Sequence, residues 1–183
     1  MAQRLLASGA QVLAVAGRNE ELRSELASLA ATGVPLTVFG FTDRMATLLA
    51  ATDLVVGKAG PASTMEALAV GRPVLVTAYA GLNELAVVRF LEARGLGGLV
   101  KVSDLEQAAA AWRDAPERLA EARSVAAALD FPGMTARAAA VVAAAARDEA
   151  PPVQDALGHF ESVDKAALRS GRGSRAVKVH WPT

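Results

Sequence analysis

Short apolar runs alternate with helical stretches along most of the chain. Gln3–Ser8 reads as the end of a helix, with Gly9 as its stop. Gln11–Ala16 (QVLAVA) is apolar almost throughout, as expected of a strand covered on both faces. Asn19 is placed to cap a helix reaching about Ala31, with Leu22, Leu26 and Leu29 on one face. Gly33, Val34 and Pro35 break it, and Leu36–Phe39 is a second strand. Thr42 or Asp43 caps a short helix over Arg44–Ala51, and Asp53–Val56 is a third strand. A Gly/Pro loop leads to a helix from Ser63 to Val70, ended by Gly71. Pro73–Thr77 is strand four, Asn83–Arg94 a helix closed by Gly95, and Gly98–Val102 a short fifth strand. Ser103–Arg113 opens on the Ser103/Glu106 capping-box spacing. Two further helices are expected over Pro116–Leu129 and Thr135–Asp148.

Strands separated by single helices specify βαβ units. The expected fold is therefore α/β: a Rossmann-like parallel sheet with helices on both faces and right-handed crossovers. Such domains ordinarily open on a strand and a phosphate-binding turn. This chain opens in mid-helix, so the reading is an N-terminally truncated domain over residues 1–150, followed by a partly flexible tail over 151–183. Within that tail Arg169–Arg175 is basic and Gly/Ser-rich, and Ala176–Trp181 alternates as a strand does when it finds a partner.

Composition narrows the function classes. The chain is 52% hydrophobic but only 4% aromatic, so its apolar mass is Ala, Val and Leu, which suits helices on a buried sheet. Nineteen basic residues balance nineteen acidic ones, which argues against a nucleic-acid partner. With no Cys, disulfides, zinc–thiolate sites and a Cys nucleophile are excluded. His159 and His180, both in the tail and read as solvent-facing, offer no His-rich metal site, so no metal is expected. No targeting signal and no membrane-length apolar run were found, and a cytoplasmic location is expected.

Ligands of open parallel sheets bind beyond the carboxyl ends of the strands. Four loops lie there: Gly17–Asn19, Gly40–Asp43, Gly57–Thr64 and Ala78–Glu84. The third is the most informative. Small residues at Gly60 and Ala62 let backbone approach a ligand, and the helix start behind them aims its amides outward, as a diphosphate requires. Ser63 and Thr64 add hydroxyls. Glu66 has two readings: partner of Ser63 in a capping box, or acceptor of two ribose hydroxyls. Asn83 and Glu84 likewise read either as helix caps or as sugar-hydroxyl ligands. Arg18 and Lys58 can offset diphosphate charge, and Phe41 can lie beside a planar base.

These loops, in this order, resemble the C-terminal domain of glycosyltransferase family 28, whose members include the monogalactosyldiacylglycerol synthases and the N-acetylglucosaminyltransferase of lipid II synthesis. The matching pieces are Ala16–Leu22, Val38–Thr42, Lys58–Pro61, Glu66–Val74 and Asn83–Glu84, within roughly Val12–Val102. The Lys-Ala-Gly-Pro and Gly-Phe-Thr pieces lean toward the diacylglycerol type. The resemblance implies the C-terminal half of a GT-B enzyme, a nucleotide-sugar-binding domain over 1–150. It also implies inverting transfer of a hexose from a UDP-sugar to a diacylglycerol-like lipid. Carried over by position, Gly40 and Phe41 meet the uracil, and Gly60, Pro61, Ala62, Ser63 and Thr64 face the diphosphate. Glu66 binds the ribose, and Asn83 and Glu84 hold the sugar. No catalytic residue is expected in this chain. The base belongs to an acceptor-binding N-terminal domain or a separate subunit, which would also make any peripheral contact with the inner face of the plasma membrane. The UDP-sugar is a substrate, and no cofactor is required. Asn83 stands where the family commonly has Gln, and Ala62 where a second Gly is common. The alternatives are a non-catalytic UDP-sugar-binding subunit, a GT-B UDP-sugar epimerase and a structural α/β domain.

Overall fold

A computed structural model describes residues 1–147. The expected end of the last helix at Asp148, the tail, its strand pattern and both histidines lie outside the described residues. The chain divides into two compact units, Met1–Ala128 and Leu129–Thr183.

The first unit contains α1 (Ala2–Ala7), β1 (Val12–Val15), α2 (Glu20–Ala30), β2 (Leu36–Phe39), α3 (Met45–Ala50), β3 (Val55–Lys58), α4 (Pro61–Ala69), β4 (Val74–Ala78), α5 (Gly81–Ala93), β5 (Gly97–Leu99), a 3-10 turn at Val102–Asp104, α6 (Leu105–Arg113) and α7 (Pro116–Ala128). Every strand pairing is parallel, the α/β architecture that the alternation predicts. The strands form two ladders rather than one: β1 with β2, and β3–β4–β5 in that order. Val12 pairs Leu36 in the first. In the second Val55 pairs Val74, Val74 pairs Gly97, and the register shifts between Gly57 and Lys58.

The core lies around β4, where Val74, Leu75 and Val76 are buried, as are Leu68 of α4 and Val88 and Leu91 of α5. Apolar residues at helical spacing drive this packing. Trp112 of α6 is 2% exposed, the largest fully buried side chain among the described residues, with the Arg118 guanidinium 3.8 Å from its ring centroid. At the edge, Gly97 adopts φ 126, and a Cβ there would overlap the Val74 carbonyl oxygen, so β5 can approach β4 only through glycine. Gly97→Ala is expected to lower the unfolding free energy by about 2 kcal/mol, read as a reduced urea midpoint with unchanged m-value.

Several sequence expectations are corrected. The Leu22–Leu26–Leu29 face is not buried: α2 has no buried residue, and Leu22 is exposed. The helix lies over the two-strand ladder, too small a sheet to cover it. The Asn19 cap is as expected, accepting the Leu22 amide at 2.9 Å. Neither Thr42 nor Asp43 is the N-cap of α3: that position is Arg44, whose amide donates to the Thr42 hydroxyl at 3.0 Å. Strand β3 runs through Gly57 and Lys58, assigned to a loop, and β5 ends at Leu99. The Ser103/Glu106 capping box is absent, because the 3-10 turn takes up Ser103 and its hydroxyl donates to Asp104 at 2.6 Å.

Of the second unit the structure describes α8 (Phe131–Ala146), which begins four residues before the expected Thr135. Asp130, in the left-handed region at φ 49, caps it by accepting the Gly133 amide. The Arg137 guanidinium, then the Gly133 amide, hold the Asp130 carboxyl below its usual range. By composition and length Pro116–Ala146 qualifies as a membrane span, with mean hydropathy 1.3 over 18 residues, where the sequence reading found no such run. The backbone is interrupted at Asp130, however, and α8 alone rises about 24 Å, short of the ~30 Å hydrocarbon layer.

Candidate functional site

The loops singled out in the sequence do lie at carboxyl ends of strands, and the structure gathers them into two clusters. Beyond β1 and β2, Arg18 stacks on Phe41, its guanidinium carbon 4.7 Å from the ring centroid. The Phe41 ring is 69% exposed, an uncovered aromatic surface held by a cation. Gly40 is tightly set beneath it: a Cβ there would stand 3.3 Å from the Arg23 side chain.

The second cluster lies beyond β3 and β4. Helix α4 starts two residues before the expected Ser63, with Gly60 as N-cap and Pro61 in its first turn. Proline at the first helical position is a legible start signal, because its φ is preset and its missing N–H would be unsatisfied anyway. This earlier start alters the chemistry. Pro61 has no amide proton, and the Thr64 amide bonds the Gly60 carbonyl at 3.0 Å. The free donors of the first turn are therefore the amides of Ala62 and Ser63, at the positive end of the helix dipole.

The same shift removes the capping-box reading of Glu66. Ser63 lies inside the helix and turns its hydroxyl back onto the Gly60 carbonyl at 3.1 Å. Glu66 is exposed and has no hydrogen bond or ion pair among the described residues. Thr64, by contrast, is 1% exposed, and its hydroxyl is buried without a hydrogen-bond partner. Lys58, Ser63, Thr64 and Glu66 line one cavity of about 310 Å³, floored by Leu13, Val15 and Val56.

Asn83 and Glu84 separate in role. Helix α5 starts at Gly81, so Asn83 is not the N-cap; it is exposed and makes no hydrogen bond among the described residues. Glu84 is engaged at both oxygens: one accepts the Ala80 amide at 2.5 Å, the other lies 3.4 Å from the Lys58 ammonium. Its side chain is only 12% exposed. Lys58 is thus tied to Glu84, a pairing that joins two loops 26 residues apart and that local spacing does not reveal. The cavity holding Glu66 includes neither Arg18, Gly40 and Phe41 nor Asn83 and Glu84. A helix N-terminus with two free amides, an unpartnered carboxylate one turn on and a nearby cation form an arrangement suited to a phosphorylated, hydroxyl-bearing ligand.

Residues 2–95, half of the chain, match the glycosyltransferase family 28 C-terminal domain, and the chain belongs to that family. Among curated proteins it is similar to monogalactosyldiacylglycerol synthase 1 of Arabidopsis thaliana, at 35% identity over 50% of this chain and 17% of the relative. It is 40% identical, over 55% of this chain and 26% of the relative, to the UDP-N-acetylglucosamine–N-acetylmuramyl-(pentapeptide) pyrophosphoryl-undecaprenol N-acetylglucosamine transferase of Clavibacter michiganensis subsp. michiganensis. Among solved structures, the glycotransferase of kitacinnamycin aligns at TM-score 0.45 and 18% identity over 66% of this chain and 40% of that one. The chain therefore spans less than a fifth of the length of the monogalactosyldiacylglycerol synthase.

Proposed function

We propose that this chain is the donor-binding domain of a UDP-sugar-dependent inverting glycosyltransferase that transfers a hexose to a diacylglycerol-like lipid. The observation that carries the proposal is the start of α4, where the Ala62 and Ser63 amides are free and Glu66 stands unpartnered beside them. In this reading the two amides bind the diphosphate, and the Glu66 carboxylate accepts the ribose hydroxyls. Phe41, with Arg18 behind it, offers its exposed face to the uracil. Asn83 reaches the sugar directly. Glu84 acts on it only when the Lys58 pairing opens, so Lys58 and Glu84 form an exchangeable pair at the sugar end.

In inverting transfer an acceptor hydroxyl attacks the anomeric carbon, the bond to the β-phosphate oxygen breaks, and negative charge collects on the departing UDP. Helix amides aimed at that charge stabilise the transition state without reorganising. The acceptor proton passes to a base in the acceptor-binding domain or subunit. UDP binding by this chain alone is then expected in the micromolar to millimolar range, with little or no transfer. Calorimetric titration of the wild type and of Glu66→Ala tests this. A roughly tenfold or greater weakening in the variant, about 1.4 kcal/mol, is the expected result. No UDP binding by the wild type would refute the donor-domain reading. Equal binding by both proteins would remove Glu66 from the ribose.

A further inference from the structure

Lys58 lies between the start of α4 and the start of α5, and an irregularity at the end of the β3–β4 ladder puts it there. The register shifts between Gly57 and Lys58: Gly57 pairs Val76, Lys58 pairs Ala78, and Thr77 is the extra residue of β4. The Thr77 hydroxyl donates to the Gly57 carbonyl at 3.3 Å, and the Ala59 amide donates to the Ala78 carbonyl at 2.9 Å. Lys58 is thereby set against the segment that leads to Glu84. On its other side the Lys58 stem passes Gly60, the N-cap of α4. A Cβ at Gly60 would stand 3.6 Å from Lys58 Cε and 2.9 Å from Ser63 Oγ, so the glycine leaves that path clear. Lys58 accordingly lines the cavity that holds Ser63 and Glu66, while its ammonium rests on Glu84, which that cavity does not include.

The two members of the pair are held very differently. One Glu84 oxygen accepts the Ala80 amide and the side chain is 12% exposed, so the backbone fixes the carboxylate in place. The Lys58 side chain is 63% exposed, and its ammonium is 3.4 Å from the other oxygen. An ion pair of that length, with a solvated and flexible cation, contributes little and exchanges readily. The cation is therefore the member that moves. Positive charge is also scarce at this end of the sheet: the carboxylates of Glu66 and Glu84 share the Lys58 ammonium, and Arg18 is engaged on Phe41 in the other cluster. A diphosphate carries more negative charge than one carboxylate and accepts charge-assisted hydrogen bonds, so it competes for Lys58 on favourable terms.

Resting on the donor-site reading above, we propose that Lys58 is a counter-ion held in reserve by Glu84, which keeps it in the empty domain and yields it to the diphosphate when UDP binds at the start of α4. Glu84 then opposes the binding of UDP. The nucleotide has to draw Lys58 away, and it leaves behind a carboxylate that is nearly buried and has lost its cation. A ligand whose own hydroxyls donate to that carboxylate offsets the loss, and a ligand without them does not. The domain accordingly favours a nucleotide that still carries its sugar over free UDP. Once the sugar has left, the return of Lys58 to Glu84 favours release of UDP. Glu84 acts here as a positioning residue, through Lys58.

A double-mutant cycle read by calorimetric titration with UDP tests this, on the whole chain as wild type, Lys58→Met, Glu84→Gln and the double variant. Glutamine keeps an oxygen for the Ala80 amide, so Glu84→Gln removes charge without removing the cap. Glu84→Gln is expected to bind UDP about fivefold more tightly than the wild type, and Lys58→Met about tenfold more weakly. The double variant is expected to match Lys58→Met, because without Lys58 there is no counter-ion to release. A gain from Glu84→Gln that persists in the Lys58→Met background would overturn the proposal, since it would report plain repulsion between Glu84 and the nucleotide. Weaker binding by Glu84→Gln would overturn it too, by making the carboxylate a support of the site. A readout that needs no variant is the Lys58 side-chain nitrogen signal in nuclear magnetic resonance of the wild type. It is expected to shift with UDP and with inorganic pyrophosphate and to stay in place with uridine; a signal unmoved by bound UDP would also overturn the transfer. UDP binding by none of the four proteins would refute the donor-site reading itself, whereas binding with independent effects of the two substitutions removes only the counter-ion transfer.

Discussion

Trp112→Ala is expected to lower the unfolding free energy by about 3–5 kcal/mol, the range for truncating a large buried aromatic. The indole is 2% exposed, so its removal leaves a cavity that little side chain can fill. It borders a cavity of about 590 Å³ lined also by Leu5, Leu13 and Val56, so its loss also enlarges space that is already open. The Arg118 guanidinium on its ring loses its partner as well. Urea unfolding followed by far-ultraviolet circular dichroism gives the value directly. Trp112→Phe, which keeps most of the buried area, is expected to fall well short of that loss. A cost below about 1 kcal/mol for the alanine variant would mean that the α1, α6 and α7 layer does not hold the first unit together.

The second large effect separates binding from stability. Ser63→Asp is expected to weaken UDP binding about a hundredfold, near 2.7 kcal/mol, while leaving stability unchanged or slightly raised. Ser63 is exposed in the first turn of α4, where a carboxylate interacts favourably with the helix dipole. A diphosphate at the same amides would meet that carboxylate as a like charge. Most binding losses on mutation can be attributed to unfolding, but this one cannot. Calorimetry with UDP and a thermal melt on the same sample check both halves. Undiminished UDP binding would place the nucleotide away from the start of α4.

Much of this was legible in the chain itself. The apolar run Val74–Val76 is too short for a helix and too continuous for a half-exposed strand, so it reports a strand covered on both faces, and all three residues are buried. The Asn19 cap, the glycine stops and the loops carrying Arg18, Phe41, Glu66 and Asn83 follow from local rules and from the family resemblance. Local rules failed where two were available and tertiary structure chose. Ser63 and Glu66 have capping-box spacing, but Pro61 starts the helix earlier and leaves Glu66 without a partner. Ser103 and Glu106 have the same spacing, but Ser103 falls in a 3-10 turn and Glu106 in α6.

What the sequence determined alone is thus the set of elements and their parallel pairing, because periodicity and turn chemistry act over a few residues. Only the tertiary structure decided that Lys58 pairs with Glu84, that the Thr64 hydroxyl is buried without a hydrogen-bond partner, and that the strands form two ladders. Those facts depend on which residues meet across long separations, where backbone pairing and burial, not local preference, set the free energy.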